Sequence, residues 1–273
     1  MAKAGARRRT EPRAEAVRTG SAGEAAASEA VDFGFRKVAR GDKARLVREV
    51  FDSVARRYDA MNDLMSLGLH RRWKEALVDA LDPREPLLVL DVAGGTADVA
   101  RRVLARAPAG SRVTVCDINA AMLAEGRDRS ADRGRIAGLD YVCGDAEALP
   151  LADRSVDAVT VAFGLRNMTD IPRALAEMRR VLRPGGRFFC LEFSRLALPG
   201  LERAYDWWSF EVLPEIGARV ARDREAYVYL AESIRKFPDQ ERLLALMQAA
   251  GFERTGYDNL AGGIVAIHQG WRI

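Results

Sequence analysis

The chain has 273 residues and a formal net charge of +4, with 48% apolar and 30% charged side chains. That length can bury a sizeable core as one large α/β domain, and no uninterrupted apolar run approaches the roughly 20 residues needed to cross a bilayer. A positive balance this mild does not by itself indicate a nucleic-acid partner.

The first thirty residues are rich in Ala, Arg, Ser, Glu and Gly and almost free of large apolar side chains. They hold no apolar segment of a secretory signal, and Glu11, Glu15, Glu24 and Glu29 do not suit an organelle transit peptide. The composition predicts a disordered basic tail over residues 1–40. From Asp42 to Ala80 the period is helical, with Leu46, Val50, Val54 and Leu77 recurring on one face beside Trp73.

Strand and helix patterns then alternate. The strands are expected at Leu87–Val92, Arg112–Asp117, Leu139–Cys143, Val156–Phe163 and Arg187–Phe193. Helical patterns separate them at Asp98–Ala107, Ala120–Ser130 and Ile171–Leu182, and Arg183-Pro184-Gly185-Gly186 stops the last of these. Such alternation with short connections predicts a doubly wound parallel sheet with right-handed crossovers. After Ser194 it gives way to an aromatic-rich excursion, Tyr205 to Leu213, then a helix over Gln240–Ala250. Two short runs, Phe252–Tyr257 and Gly263–Trp271, predict an antiparallel hairpin at the sheet edge. Cys116, Cys143 and Cys190 lie in or near strand ends without C-x-x-C spacing. They are expected as free core thiols in a reducing, cytoplasmic setting. With only His70 and His268 as imidazoles, no metal site is expected.

The chemistry gathers at Leu87–Thr96, Leu-Leu-Val-Leu-Asp-Val-Ala-Gly-Gly-Thr. A strand ends in an acid and breaks into a tight loop where a ligand can lie against bare backbone. A dinucleotide loop would read G-x-G-x-x-G and aim N–H groups at a pyrophosphate. Here Gly94 and Gly95 are adjacent, no third glycine follows, and Asp91 would repel phosphate. The loop instead suits a cationic ligand such as S-adenosylmethionine, with its ammonium and sulfonium. Asp117 lies 22 residues beyond Gly95, where an acid can take ribose hydroxyls. Asp145 follows the third strand and can accept from an adenine amine, with Ala146 offering a backbone N–H. Any one of these acids is as readily a helix cap or a strand-end residue. Three in register, one after each of the first three strands, point to one site.

Two longer segments are more distinctive. Phe51 to Lys74 reads FDSVARRYDAMNDLMSLGLHRRWK, and Phe163-Gly164-Leu165-Arg166-Asn167 is followed by Ala174 to Gly186, ALAEMRRVLRPGG. Together they resemble the UbiE-type C-methyltransferases of ubiquinone and menaquinone biosynthesis, from about residue 43 to the C-terminus. The resemblance implies a class I methyltransferase fold of the Rossmann-like kind: five parallel strands, a C-terminal antiparallel hairpin and N-terminal helices forming a lid, in one domain over 41–273. It implies S-adenosyl-L-methionine as cofactor, held by Thr96, Asp117, Asp145 and Ala146, to which the loop reading adds Asp91, Gly94 and Gly95.

The substrate it implies is a polyprenylated hydroquinone, 2-polyprenyl-6-methoxy-1,4-benzoquinol or demethylmenaquinol. Arg166 would stabilise the phenolate and Asn167 would orient a hydroxyl, with Tyr58 and Asn62 contributing from the N-terminal helices. The competing expectation is that Arg166 pairs with a helix acid and Asn167 caps the helix starting near Ile171. Two departures from the family pattern stand out: Ala97 where Gly is usual, and Ala162 where Ser is common. The bilayer-soluble tail implies a protein peripheral to the inner face of the membrane, or supplied by a quinone-biosynthesis complex, or a homo-oligomer; nucleic acid is not expected as a partner. Three alternatives stay open: a non-catalytic cofactor-binding scaffold, a methyltransferase for another small aromatic or RNA acceptor, and a nucleoside-cofactor dehydrogenase.

Overall fold

The computed structural model describes residues 29–54, 62–63, 66–134, 136–196, 200, 211–212, 215 and 224–273. Tyr58, the aromatic residues Tyr205, Trp207, Trp208 and Phe210, and Leu213 lie outside this set. A two-stranded hairpin, β1 (Ala30–Phe33) and β2 (Arg36–Ala39), leads directly into helix α1 (Arg40–Val54). Residues 30–39 of the stretch expected as a tail thus form a hairpin. Phe33 anchors them by packing with Val47 of α1 and Tyr229.

Helix α2 (Leu69–Leu81) buries Trp73, Leu77, Val78 and Leu81, a stripe at helical spacing that faces the sheet. The alternating units follow: β3 (Leu88–Val92), α3 (Asp98–Arg106), β4 (Arg112–Asp117), α4 (Ala120–Asp132), β5 (Leu139–Cys143), β6 (Val156–Ala162), α5 (Ile171–Val181) and β7 (Leu182–Phe193). The chain closes with α6 (Arg224–Lys236), α7 (Gln240–Ala249), β8 (Glu253–Leu260) and β9 (Val265–Trp271).

The main sheet runs β5-β4-β3-β6-β7-β9-β8. Its first five strands are parallel; β9 runs antiparallel to β7, and β8 in turn antiparallel to β9. Apolar layers cover both faces, one built on α2 and α3 and the other on α5 and α7. The near-continuous apolar runs of β3, β6 and β7 reflect burial on both sides. Chain order reverses between β3 and β6, the switch point beyond whose carboxyl ends ligands of open α/β sheets bind.

The Arg-Pro-Gly-Gly stop is built differently from the expected connection. The register of β6 on β7 passes from Val156–Leu182 directly to Ala158–Arg187, so residues 183–186 form an outpouching within β7. Gly185 there has φ 82°, and its N–H bonds the Arg272 carbonyl at 2.6 Å. The helix expected to run to Leu182 therefore ends at Val181 because Leu182 already pairs in the sheet.

Candidate functional site

A cavity of about 320 Å³ opens beyond the carboxyl ends of β3, β4, β5 and β6 and is roofed by α1 through Gly41, Ala44, Val47 and Phe51. It is within the size range of small-molecule sites. Asp91, Gly94, Gly95, Thr96, Asp117, Asp145, Ala146 and Asn167 all line it. Every residue expected around the cofactor is thus on one wall system, and Asn167 joins them from the far side.

The loop after β3 is shaped by close packing. Gly95 turns with φ 49°, and its N–H donates to Asp117 Oδ2 at 2.9 Å. A Cβ on Gly94 would stand 2.7 Å from Val115 Cγ1 and 2.8 Å from Asp91 Oδ2, so no side chain fits there. From outside, α4 presses Gly126 onto the loop; a Cβ there would lie 2.9 Å from both the Gly95 carbonyl oxygen and the Thr96 carbonyl carbon. Arg101 clamps the same turn by donating to the Thr96 carbonyl at 2.6 Å and to Ser130 Oγ at 3.1 Å. Ala97, one of the two departures from the family pattern, is fully buried at φ 61° and sits at the N-cap of α3. The left-handed turn is therefore made without glycine, at a steric cost that packing must offset.

The electrostatics of the wall are unusual. Asp91 is 1% exposed. Its Oδ1 accepts from Thr160 Oγ1 at 2.8 Å, whereas its buried Oδ2 has no hydrogen-bond partner among the described residues. Burial pushes its carboxyl up to about 7, against the pull of the Thr160 bond and the Lys74 charge. An unpaired buried carboxylate oxygen is costly, and a cation in the cavity would relieve it. Asp117 Oδ1 and Oδ2 accept from the N–H groups of Asn119 and Gly95 at 2.8 and 2.9 Å. Burial raises it to about 6 despite those bonds. Nearby, Lys74 Nζ meets Asp98 Oδ2 at 2.9 Å. Burial works against the Asp98 charge, but Lys74, Arg102 and Arg101 outweigh it and hold the carboxyl at about 2. Asp145, exposed at the rim, accepts the Glu147 N–H at 2.8 Å.

Polar pins hold α1 over the opening. Buried Lys43 donates to the Met168 carbonyl at 2.9 Å, Arg40 to Asp170 Oδ2 at 3.1 Å, and Asn119 Nδ2 to Asp52 Oδ1 at 2.8 Å. Glu147 Oε1 accepts from the N–H groups of Thr169 and Asp170, fixing the segment that α1 grips.

The far wall departs from expectation at Arg166. It sits in the 3-10 turn Leu165–Asn167, but its side chain is only 4% exposed and does not line the cavity. Its Nη1 pairs with Glu192 Oε1 at 2.9 Å and also donates to the Phe163 carbonyl. The partner acid is on strand β7, not on a helix as the competing expectation had it. Nor does Asn167 cap the following helix, since Asp170 Oδ1 takes that place by accepting the Arg173 N–H. Asn62 is buried outside the cavity lining, with its carbonyl bonded by Ser66 Oγ at 2.7 Å. Tyr58 is outside the described residues. Residues that the sequence reading passed over include Asn119, Glu147, Gly126, Glu192 and Tyr229. Glu192 carried a legible signal: an acid inside Phe-Phe-Cys-Leu-Glu-Phe, a run otherwise apolar and, in the structure, buried throughout.

A sheet of this order with an acid-walled cavity at its switch point is shared by many enzymes, and comparison with known proteins narrows the choice. The model of the ubiE/COQ5 methyltransferase family matches residues 37–272. The chain belongs to that family. The ubiquinone/menaquinone biosynthesis C-methyltransferase UbiE of Acidiphilium cryptum (strain JF-5) is 61% identical over 246 residues, spanning 90% of this chain and 98% of its own. The UbiE of Paracoccus denitrificans (strain Pd 1222) is 56% identical over 241 residues, spanning 88% and 96%. At the level of fold, the crystal structure of a SAM-dependent methyltransferase from Aquifex aeolicus superposes with a TM-score of 0.55 at 15% identity, over 73% of this chain and 89% of that one. Within the family frame the unpartnered Asp91 oxygen and the side-chain-free Gly94–Gly95 turn fit S-adenosyl-L-methionine, whose charges are positive and which carries no phosphate.

Proposed function

We propose that this chain uses S-adenosyl-L-methionine to methylate a ring carbon of a polyprenylated hydroquinone in respiratory quinone biosynthesis. The observation that carries the reading is the pairing of a cation-seeking wall, Asp91 with its free buried oxygen, with a hydrogen-bonding amide, Asn167, across one cavity, in a chain of this family. When bound, the cofactor supplies an electrophilic methyl group on sulfonium. The acceptor must then be an electron-rich carbon, which a hydroquinone or its mono-anion offers and a quinone does not.

The protein's part is to hold the partners in line and to favour the phenolate. Asp91 would face the cofactor's positive charge, Asp117 its ribose hydroxyls, and Asp145 with the Ala146 N–H its adenine. Asn167 is the far-wall group within reach of a substrate oxygen. Arg166, sequestered with Glu192, is a positioning residue in this reading, shaping the turn that presents Asn167. The ring proton leaves to water once the new carbon–carbon bond has formed.

The bilayer-soluble tail also places the reaction at a membrane surface in this reading. No helix among the described residues is long and apolar enough to cross a membrane. Phe35, 51% exposed at the hairpin tip between Gly34 and Arg36, is the kind of group that touches a surface without spanning it.

Mass spectrometry tests the assignment. The protein, S-adenosylmethionine and a dithionite-reduced, short-tailed demethylated benzoquinol or naphthoquinol should yield a product heavier by one carbon-bound methyl, absent when the reductant is omitted. Long-tailed quinol supplied in anionic vesicles should be turned over faster than in neutral ones. Cofactor binding without any product would favour the scaffold reading.

A pH dependence follows from Asp91. Its carboxyl is protonated below about 7 in the ligand-free protein, and a bound cation favours the ionised form, so binding expels a proton. Affinity for the cofactor should rise by up to about tenfold per pH unit below about 7 and level off above it. Titration calorimetry between pH 6 and 7, above the range where Asp117 titrates, should show the slope in the wild type and its loss in Asp91→Asn. An Asp91→Asn variant that keeps the slope in that window would remove Asp91 from the cation site.

A further inference from the structure

Asn167 reaches the cavity with one end of its amide already engaged. The Tyr229 hydroxyl on α6 donates to Asn167 Oδ1 at 3.1 Å. Tyr229 is buried, and its ring stacks on Phe33 of β1 with centroids 4.4 Å apart, beside Val47 of α1. A buried phenol needs an acceptor for its proton, and among the described residues Asn167 Oδ1 is the one it meets. Turning the amide over would set Nδ2 against the phenol oxygen and strand that proton. It would also aim a carbonyl at the cavity.

We propose that Tyr229 is a positioning residue that fixes the polarity of Asn167, so that the cavity is met by the Nδ2 donor and a substrate oxygen is held as its anion. The inference rests on the quinol reading and deepens it. An N–H at this place strengthens its bond as negative charge builds on the ring oxygen. A carbonyl would instead accept from a neutral hydroxyl and keep the ring in its less nucleophilic form. Charged neighbours do not override this choice. Arg166 and Glu192, the ionised groups that act on Tyr229, neutralise one another, and Lys43 and Glu147 are engaged with residues 168–170. Phe33, from the hairpin, contributes only its ring.

The test compares wild type, Tyr229→Phe, Asn167→Leu and the double variant on the short-tailed reduced quinol. Phenylalanine keeps the ring on Phe33 and removes only the hydroxyl. Tyr229→Phe should lower kcat by about tenfold to a hundredfold while KM for the quinol and cofactor affinity stay within about twofold. The acid limb of its kcat–pH profile should move up by about one unit, because the anion is no longer favoured. In the Asn167→Leu background, adding Tyr229→Phe should change nothing further, since the hydroxyl then has no amide to orient. Losses that multiply in the double variant, or a Tyr229→Phe enzyme indistinguishable from wild type in kcat and pH profile, would overturn the proposal while leaving the methyl-transfer reading intact. A wild type that never methylates the quinol would sink that reading first, and this inference with it.

Discussion

Glu192→Ala is expected to destabilise the protein by about 3–5 kcal/mol, the usual consequence of removing one partner from a buried ion pair. Glu192 and Arg166 have side chains 1% and 4% exposed and meet at 2.9 Å. Glu192 also accepts the Phe193 N–H at 2.9 Å, while the Arg166 guanidinium lies over the Phe193 ring, 5.6 Å from its centroid. Deleting the carboxylate would leave the guanidinium charged in a wall built from Trp73, Phe163 and Phe193, whose rings pack 4.9 to 6.2 Å apart. Water cannot readily enter to solvate it. Urea unfolding followed by fluorescence would read the loss as a lower midpoint at unchanged slope. A midpoint within experimental scatter of wild type would mean that the guanidinium finds water or another acceptor and that the pair is not what holds the far wall.

Gly126→Ala should weaken cofactor binding although Gly126 does not line the cavity. The added methyl would have to occupy space 2.9 Å from the backbone of Gly95 and Thr96, and backbone yields far less than a side-chain tip. Either α4 moves outward or the loop moves into the cavity. Overpacking of this kind costs about 1–3 kcal/mol, which corresponds to about 5- to 150-fold in Kd if the loop gives way. Calorimetric titration with S-adenosylmethionine separates the alternatives from a thermal melt. A lower melting temperature with unchanged Kd would assign the strain to the helix; a raised Kd would assign the loop's position to α4.

Much of this fold was legible because its signals are periodic and local. The strands at Arg112–Asp117 and Leu139–Cys143 are where alternation and turn residues placed them, and the terminal hairpin needed only two short runs around glycines. The acids at 91, 117 and 145 were legible for the same reason, each being a polar residue closing an apolar strand. What remained hidden depends on direction rather than position. Arg166 follows the fourth strand as expected, but nothing in Leu-Arg-Asn says that its side chain turns back to an acid 26 residues later. Arg166, expected to stabilise the phenolate, is paired with a buried carboxylate and stands outside the cavity lining. The hairpin at Ala30–Ala39 was missed because its strands are four residues each and only Phe33 is fully buried, too little apolar pattern to distinguish from a tail. Tyr229 was missed because its link to Asn167 spans 62 residues and one hydrogen bond.

Phe33 also bears on how the enzyme should be handled as a piece of chain. It stands before residue 37, where the family match begins, and its surroundings would tempt an experimenter to trim it away. Yet its ring lies against Tyr229, and Tyr229 bonds Asn167, so only two contacts separate the discarded end from an amide of the cavity wall. A shortened chain starting at α1 would retain every motif residue and lose the ring that stacks on Tyr229. The edge of the family model at residue 37 and the edge of the contacts that reach Asn167 are different places.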